Sequence, residues 1–447
     1  MQSRRSNVPT ELIDDIIDKL ATSDPHSKPA LSNVASVSRG FRRRVNHHRF
    51  SILEICIHTT PSDRLENLAK ILCWDLWEQQ EGIAQHIRSV RLILGRRDSG
   101  VPTHSESRDK IIAHVVKAVF KGSGNESSNQ TPRSLTICTT DYYRYPNNGP
   151  YHIAGLSFDT LGNETIAALH DPRCSQYVTT LRLERMWNIP TSLVSAPAIK
   201  NLHINHAHFT ASEISGNGPP LPSLVYLEVK EAPSFVPACY HGRGDEHMEP
   251  IARAKYWLRK PEEYGGLTRI GTAATMLEVI VDEYLDVPFA TVYYIQSNAL
   301  QCLRIQRKYD QWSHAESTKT PTLGQPFQPF FLGMLHLLPS VPPPEIDLKI
   351  QVSLKYYYLP TAIFDSLDYV YSRIYHFSLV EWLEKMCSST GTQANITLVI
   401  EFDLFEIRTN DYDPVIFQEI YEPYMHKLLA PLGRIKGVKL NIKIYAF

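Results

Sequence analysis

The chain has 447 residues and a mass of 51.0 kDa, a length that leaves room for about three domains. Apolar residues make up 43%, aromatics 10% and charged residues 21%, which are globular proportions and exclude a wholly disordered chain. Lys and Arg total 46 against 47 for Asp and Glu, and the net charge of −1 lacks the basic excess of proteins that grip nucleic acid through its phosphates.

The N-terminus (MQSRRSN) is polar and basic with no apolar signal region behind it, and no run is long and apolar enough for a membrane span. The seven cysteines are dispersed, with no CxxC pair, which predicts reduced thiols and a cytosolic or nuclear location.

Residues 8–20 read VPTELIDDIIDKL. Leu12, Ile13, Ile16, Ile17 and Leu20 fall at helical spacing, Pro9 suits a helix start, and Glu11, Asp14 and Asp15 favour the positive end of the dipole. Asp24-Pro25 and Lys28-Pro29 predict a loop. Leu31, Val34 and Ala35 predict a short second helix, and Ser38 is the expected N-cap of a third that carries Phe41 and Val45 on one face. Three short helices bury little surface alone, and with no metal cluster or cysteine pair the module is expected to complete its core on a partner.

Val8-Pro9, Glu11-Leu12, Ile16-Ile17, Leu20, Val37-Ser38-Arg39 and Phe41 follow one another in the order and spacing of the F-box, which residues 6–52 resemble. Val8 stands where the family usually has Leu, and Phe41 where it has Trp. The resemblance implies capture of a Skp-type adaptor, and through it a cullin-RING ligase, by Pro9, Leu12, Ile16, Ile17, Leu20, Val37 and Phe41. Which of these face the adaptor and which fill the module stays open. The two smaller apolar residues leave a non-catalytic scaffold without a ubiquitination role as the alternative.

Residues 53–86 are expected to form a helical linker, with Leu65, Leu68, Ala69, Leu72 and Leu76 on one face. Beyond it, over 87–447, an apolar–variable–apolar triplet recurs. The clearest instances centre on Arg182, His203, Glu228, Glu278 and Arg304. Some successive triplets are 21, 25 or 26 residues apart, and others nearly twice that, as if a repeat had been missed. The pattern resembles an irregular leucine-rich-repeat solenoid, in an overall α/β chain. Each triplet reads as a strand that sends its apolar pair to the core and its central residue outward, so those five residues are the candidate substrate-binding face.

Polar stretches such as 95–110 (GRRDSGVPTHSESRDK) and 121–133 read as surface loops. The aromatic-rich 354–384 predicts a strand end and a helix. A long strand from Asn395, a helix over 413–433 and a strand over 438–447 are expected to follow. His203, His206 and His208 form the one histidine cluster, with no carboxylate or cysteine at zinc-site spacing. No nucleophile-elbow, HExxH or phosphate-loop motif occurs. No cofactor, metal or catalytic group is expected.

Overall fold

The computed structural model describes residues 10–23, 28–77, 83–95, 106–121, 133–139, 156–210, 221–236, 249–258, 263–281, 299–310, 343–355, 391–403 and 430–446, with a few isolated positions between 383 and 427. The chain divides into two compact units, one of residues 1–213 with 218–222, the other of 214–217 with 223–447. The protein is mixed α/β, and every strand pairing described within either unit is parallel.

The first unit opens with three helices, α1 (Thr10–Ser23), α2 (Lys28–Val37) and α3 (Arg39–Phe50). Their core is Ile17, Leu31, Ala35 and Val45, with Ile13, Leu20, Val34 and Phe41 packed against it. Ser38 caps α3 as expected, its hydroxyl accepting a bond from the Phe41 N–H. The pair Lys28-Pro29, read as loop, instead lies in the first turn of α2. Proline is tolerated there because a first-turn N–H has no intrahelical partner.

Strand β1 (Ile52–Cys56) follows at once, inside the stretch expected to be a helical linker. Helix α4 (Ser62–Trp77) and a 3-10 turn (Ile83–His86) then lead to β2 (Ser89–Leu94). The remaining strands of this unit are β3 (Arg133–Thr139), the two-residue β4 (Leu156–Ser157), β5 (Val178–Ile189) and β6 (Asn201–Phe209). The order β1-β2-β3-β5-β6 follows the chain, with β4 beside β5. Parallel neighbours need a crossover, and helices supply it here. Helix α5 (Glu106–Lys121) joins β2 to β3, while α6 (Asn163–His170) and α7 (Pro172–Ser175) lie between β4 and β5. A single turn, α8 (Thr191–Val194), separates β5 from β6. Helix α5 buries Ile112, Val115, Val116, Val119 and Phe120 and packs on α4, α6 and α7.

The second unit contains β7 (Leu224–Lys230), β8 (Ile251–Leu258), α9 (Tyr264–Ala273), β9 (Ala274–Val281), β10 (Cys302–Asp310), β11 (Glu345–Lys355), β12 (Gln393–Asp403) and β13 (Val438–Ala446), again paired in chain order. The described residues between Glu419 and Gly433 that precede β13 are helical. Most of 354–384 lies outside the described residues.

The long triplet steps have two different origins. Strand β8 fills the step between Leu227 and Leu277, with Ala254 and Tyr256 in place of the usual aliphatic pair. Among the described residues, the steps from Val90 to Leu135 and from Leu135 to Leu181 place no further strand between β2, β3 and β5 in the sheet. Strand β2 pairs directly with β3 and β3 with β5, so helical crossovers and the short β4 supply the extra length. In β12 the triplet in register is Ala394-Asn395-Ile396, and Val399 further along the strand is buried.

Candidate functional site

Two surfaces carry the candidate residues. On the helical module the structure separates the set. Ile17 is buried, and Leu20 and Phe41 pack on the module core. Leu12, Ile16 and Val37 stay 52%, 57% and 69% exposed. Leu12 and Ile16 sit one turn apart on α1, and Val37 ends α2. Pro9 lies outside the described residues. The division has a simple origin. Ile16 and Ile17 are adjacent, so on a helix they point about 100° apart, and only one can join the stripe that faces α2 and α3.

An ion-pair cluster between α1 and α3 braces the module. Asp18 on α1 accepts bonds from Arg44 Nε and His48 Nε2 on α3, both at 2.7 Å, and pairs with a second Arg44 nitrogen. Hydrogen bonds from Arg44 first, then His48, hold its carboxyl well below the usual carboxylate range.

On the strands, the central triplet residues line up in register. In the first unit Glu54, Arg91, Thr136, Arg182 and His203 form one row across β1, β2, β3, β5 and β6. In the second, Glu228, Lys255, Glu278, Arg304, Asp347, Asn395 and Lys439 form another across β7 to β13. Their apolar neighbours Leu181, Leu183, Leu202, Ile204, Leu227, Val229, Leu277, Val279, Leu303 and Ile305 are buried. At about 1.5–3 kcal/mol per buried aliphatic side chain, this pattern leaves one register and forbids a slip.

The rows compensate their own charge. Arg91 meets Glu54 at 3.3 Å, Lys255 meets Glu278 at 3.3 Å, and Arg304 meets Asp347 at 3.7 Å. Arg253 adds a second cation on Glu278 at 3.2 Å. Aromatic rings lie among these charges. Lys255 sits 4.8 Å and Lys230 5.8 Å from the Trp257 ring centre, and Arg253 sits 5.9 Å from that of Tyr226. Burial, then the charge of Glu228, pushes the Tyr226 hydroxyl up to about 12, so it stays a neutral donor to Glu228. Arg253, Lys255 and Trp257 were not candidates in the sequence, because Ala254 and Tyr256 disguise the triplet of β8. The surviving signal is the alternation from Ala254 to Leu258.

A conformational repeat also emerges that composition did not show. Arg185, His206 and Glu231 have φ of 57°, 50° and 50°. Each stands two residues after the second apolar residue of its triplet, and each precedes a buried Met186, Ala207 or Ala232. Ordinary side chains thus hold a left-handed backbone, at a cost of about 1–2 kcal/mol each. His206 and His208 lie on β6 with His203. Among the described residues no group of three or more His, Cys, Asp or Glu could hold a metal ion, and no helix is long and apolar enough to cross a membrane.

No family model matches the chain, and no curated protein matches it either.

Proposed function

We propose that this chain is a substrate-receptor subunit of an SCF-type cullin-RING ubiquitin ligase, with residues 6–52 acting as an F-box and the strand-rich remainder as an irregular solenoid that holds a protein substrate. One observation carries the first half. Leu12, Ile16 and Val37 remain exposed on a helical module whose core is already closed by Ile17, Leu31, Ala35 and Val45. Large aliphatic side chains exposed on so small a module are what a docking face requires.

Sequential parallel order and in-register triplets support the solenoid reading. The patch of Tyr226, Arg253, Lys255, Trp257 and Glu278 supports the substrate half, since aromatics and arginine among paired charges are typical of protein interfaces. Such a receptor performs no bond chemistry. It raises the effective concentration of substrate lysines beside a ubiquitin-loaded enzyme.

The test is co-expression of the full chain with a Skp-type adaptor and co-purification, beside a chain starting at residue 60 and the triple variant L12D/I16D/V37D. The adaptor is expected with the parent and with neither of the others. An adaptor retained by the triple variant refutes the docking face. An adaptor that binds the parent without any ubiquitin transfer in the reconstituted ligase assigns a scaffold role instead.

A further inference from the structure

Strand β3 begins on Arg133, and Arg88, the residue just before β2, stands beside it. The Arg88 carbonyl accepts a bond from the Ser134 N–H at 2.8 Å, and Ser89 and Ser134 are partners in the ladder. Arg88 is held in turn by the Ser51 carbonyl at 2.8 Å, and Arg133 by the Tyr177 carbonyl at 3.2 Å. Both backbones are therefore fixed. Arg133 is only 8% exposed. One of its guanidinium nitrogens, Nη2, reaches the Ala84 carbonyl at 3.4 Å, whereas Nη1 is buried with no hydrogen-bond partner. Nη1 of Arg88 is buried without a partner as well.

An imidazole also stands near Arg88, whose charge bears on it. His47 on α3 lies with its ring 6.5 Å from that of His86, itself buried. Burial first, and the charge of Arg88 second, depress both the Arg133 guanidinium (to about 10) and the His47 imidazole. Among the described residues no carboxylate bears on Arg133. Among them Tyr177 is the group that favours its charge. A buried guanidinium with an orphaned donor, beside a second half-buried one, is expensive to fold around, and a bound anion offsets both costs together. Neighbouring guanidinium forks match the tetrahedral face of a phosphate, which each can bind through paired N–H groups.

We propose that Arg88 and Arg133, with His47 beside them, form a binding site for a small phosphate-type oxyanion at the N-terminal ends of β2 and β3. The site is independent of adaptor capture. None of its residues belongs to the exposed set Leu12, Ile16 and Val37. It lies where the chain passes from the helical module into the first strands, so its occupant would lock Ser51, Arg88 and Ser134 together.

The test is isothermal titration of the purified full chain with sodium phosphate and with sodium pyrophosphate, against sodium chloride at matched ionic strength. Saturable binding of either oxyanion is expected, with a Tm that rises as its concentration rises. Removing one charged donor weakens binding about 10- to 100-fold, the expected result for R88Q, and R133Q is expected to abolish it. R173Q, an exposed arginine on α7, is the control and should bind as the parent does. Circular dichroism checks that R133Q folds. Where it does not, the half-buried R88Q decides alone. Absence of saturable binding by the parent, or undiminished binding by R88Q, overturns the site.

Discussion

Asp109 caps a helix to which it does not belong. From the first turn of α5 its Oδ1 accepts the backbone N–H of Thr165 at 2.9 Å and the Thr165 hydroxyl at 2.6 Å. Its Oδ2 accepts the Glu164 N–H at 2.8 Å. Gly162, the N-cap position of α6, offers no side chain for this purpose, so a buried carboxylate from another element satisfies the free donors of the helix and meets its positive end. Replacing Asp109 with Ala is expected to cost about 2–3 kcal/mol, the combined loss of a cap and of charge-assisted bonds. T165V, which keeps the backbone bonds, is expected to cost about 1 kcal/mol. Urea unfolding followed by circular dichroism separates the two.

Gly162 is tied to the same contact. Its φ is +88°, and a Cβ there would lie 2.5 Å from Asp109 Cγ. Gly391 has φ of +70° with open space around a Cβ. G391A should therefore show only the left-handed penalty of about 1–2 kcal/mol. G162A adds a steric clash with the capping carboxylate, and its Tm should fall well below that of G391A. Equal melting temperatures would contradict the tight approach.

Surface and core residues of the helical module should separate cleanly. I17A and V45A remove buried side chains, and I17A is expected to cost about 2–5 kcal/mol. L12D, I16D and V37D change exposed positions, so they should leave the circular dichroism spectrum and Tm nearly unchanged while abolishing adaptor co-purification. Phe41 is a poor probe of docking, because it packs on the core and its loss mixes unfolding with binding.

Acid should weaken the same module through Asp18. A carboxyl held below its unfolded value of about 3.9 stabilises the fold above that pH, and the stabilisation drains away as pH falls towards the folded value. Asp18 is 34% exposed on its side chain, so water screens the pair and its worth is about 1 kcal/mol or less. Melting the parent and D18N from pH 7 to pH 3 should show the parent's advantage shrinking below about pH 4. A constant gap across that range would exclude Asp18 as the titrating group.

The described thiols should differ in reactivity. Cys56 is half-buried, while Cys138, Cys174, Cys302 and Cys387 are buried. Burial pushes the Cys174 thiol up to about 11 and raises the other three, so little thiolate forms at neutral pH. Alkylation at pH 7.5 read by mass spectrometry should label Cys56 first among these five.

Local patterns read well wherever a segment's own apolar spacing decided its structure. The three N-terminal helices, the Ser38 cap and the strands around Arg182, His203, Glu228, Glu278 and Arg304 belong to this group. Local pattern misleads where the deciding partner is distant in sequence. Residues 95–110 look like a polar surface loop, yet Glu106–Lys110 open α5 and bury Arg108 and Asp109. The Arg108 guanidinium bonds the Ile57 and Thr60 carbonyls, 51 and 48 residues away. Polarity alone cannot distinguish a solvated charge from one committed to buried backbone groups.

The order of residues by itself determined the helix stripes, the two-residue alternation of the strands and hence which side chains lie inward, because those follow from periods of 3.6 and 2. The tertiary structure alone decided which of Leu12, Ile16, Ile17, Leu20, Val37 and Phe41 remain exposed, and that β8 fills one long step while helices fill others. It also brought Arg88 beside Arg133 and Asp109 onto α6. These depend on strand pairing and packing between segments tens of residues apart, where contact is set by the space left by every other element rather than by any local pattern.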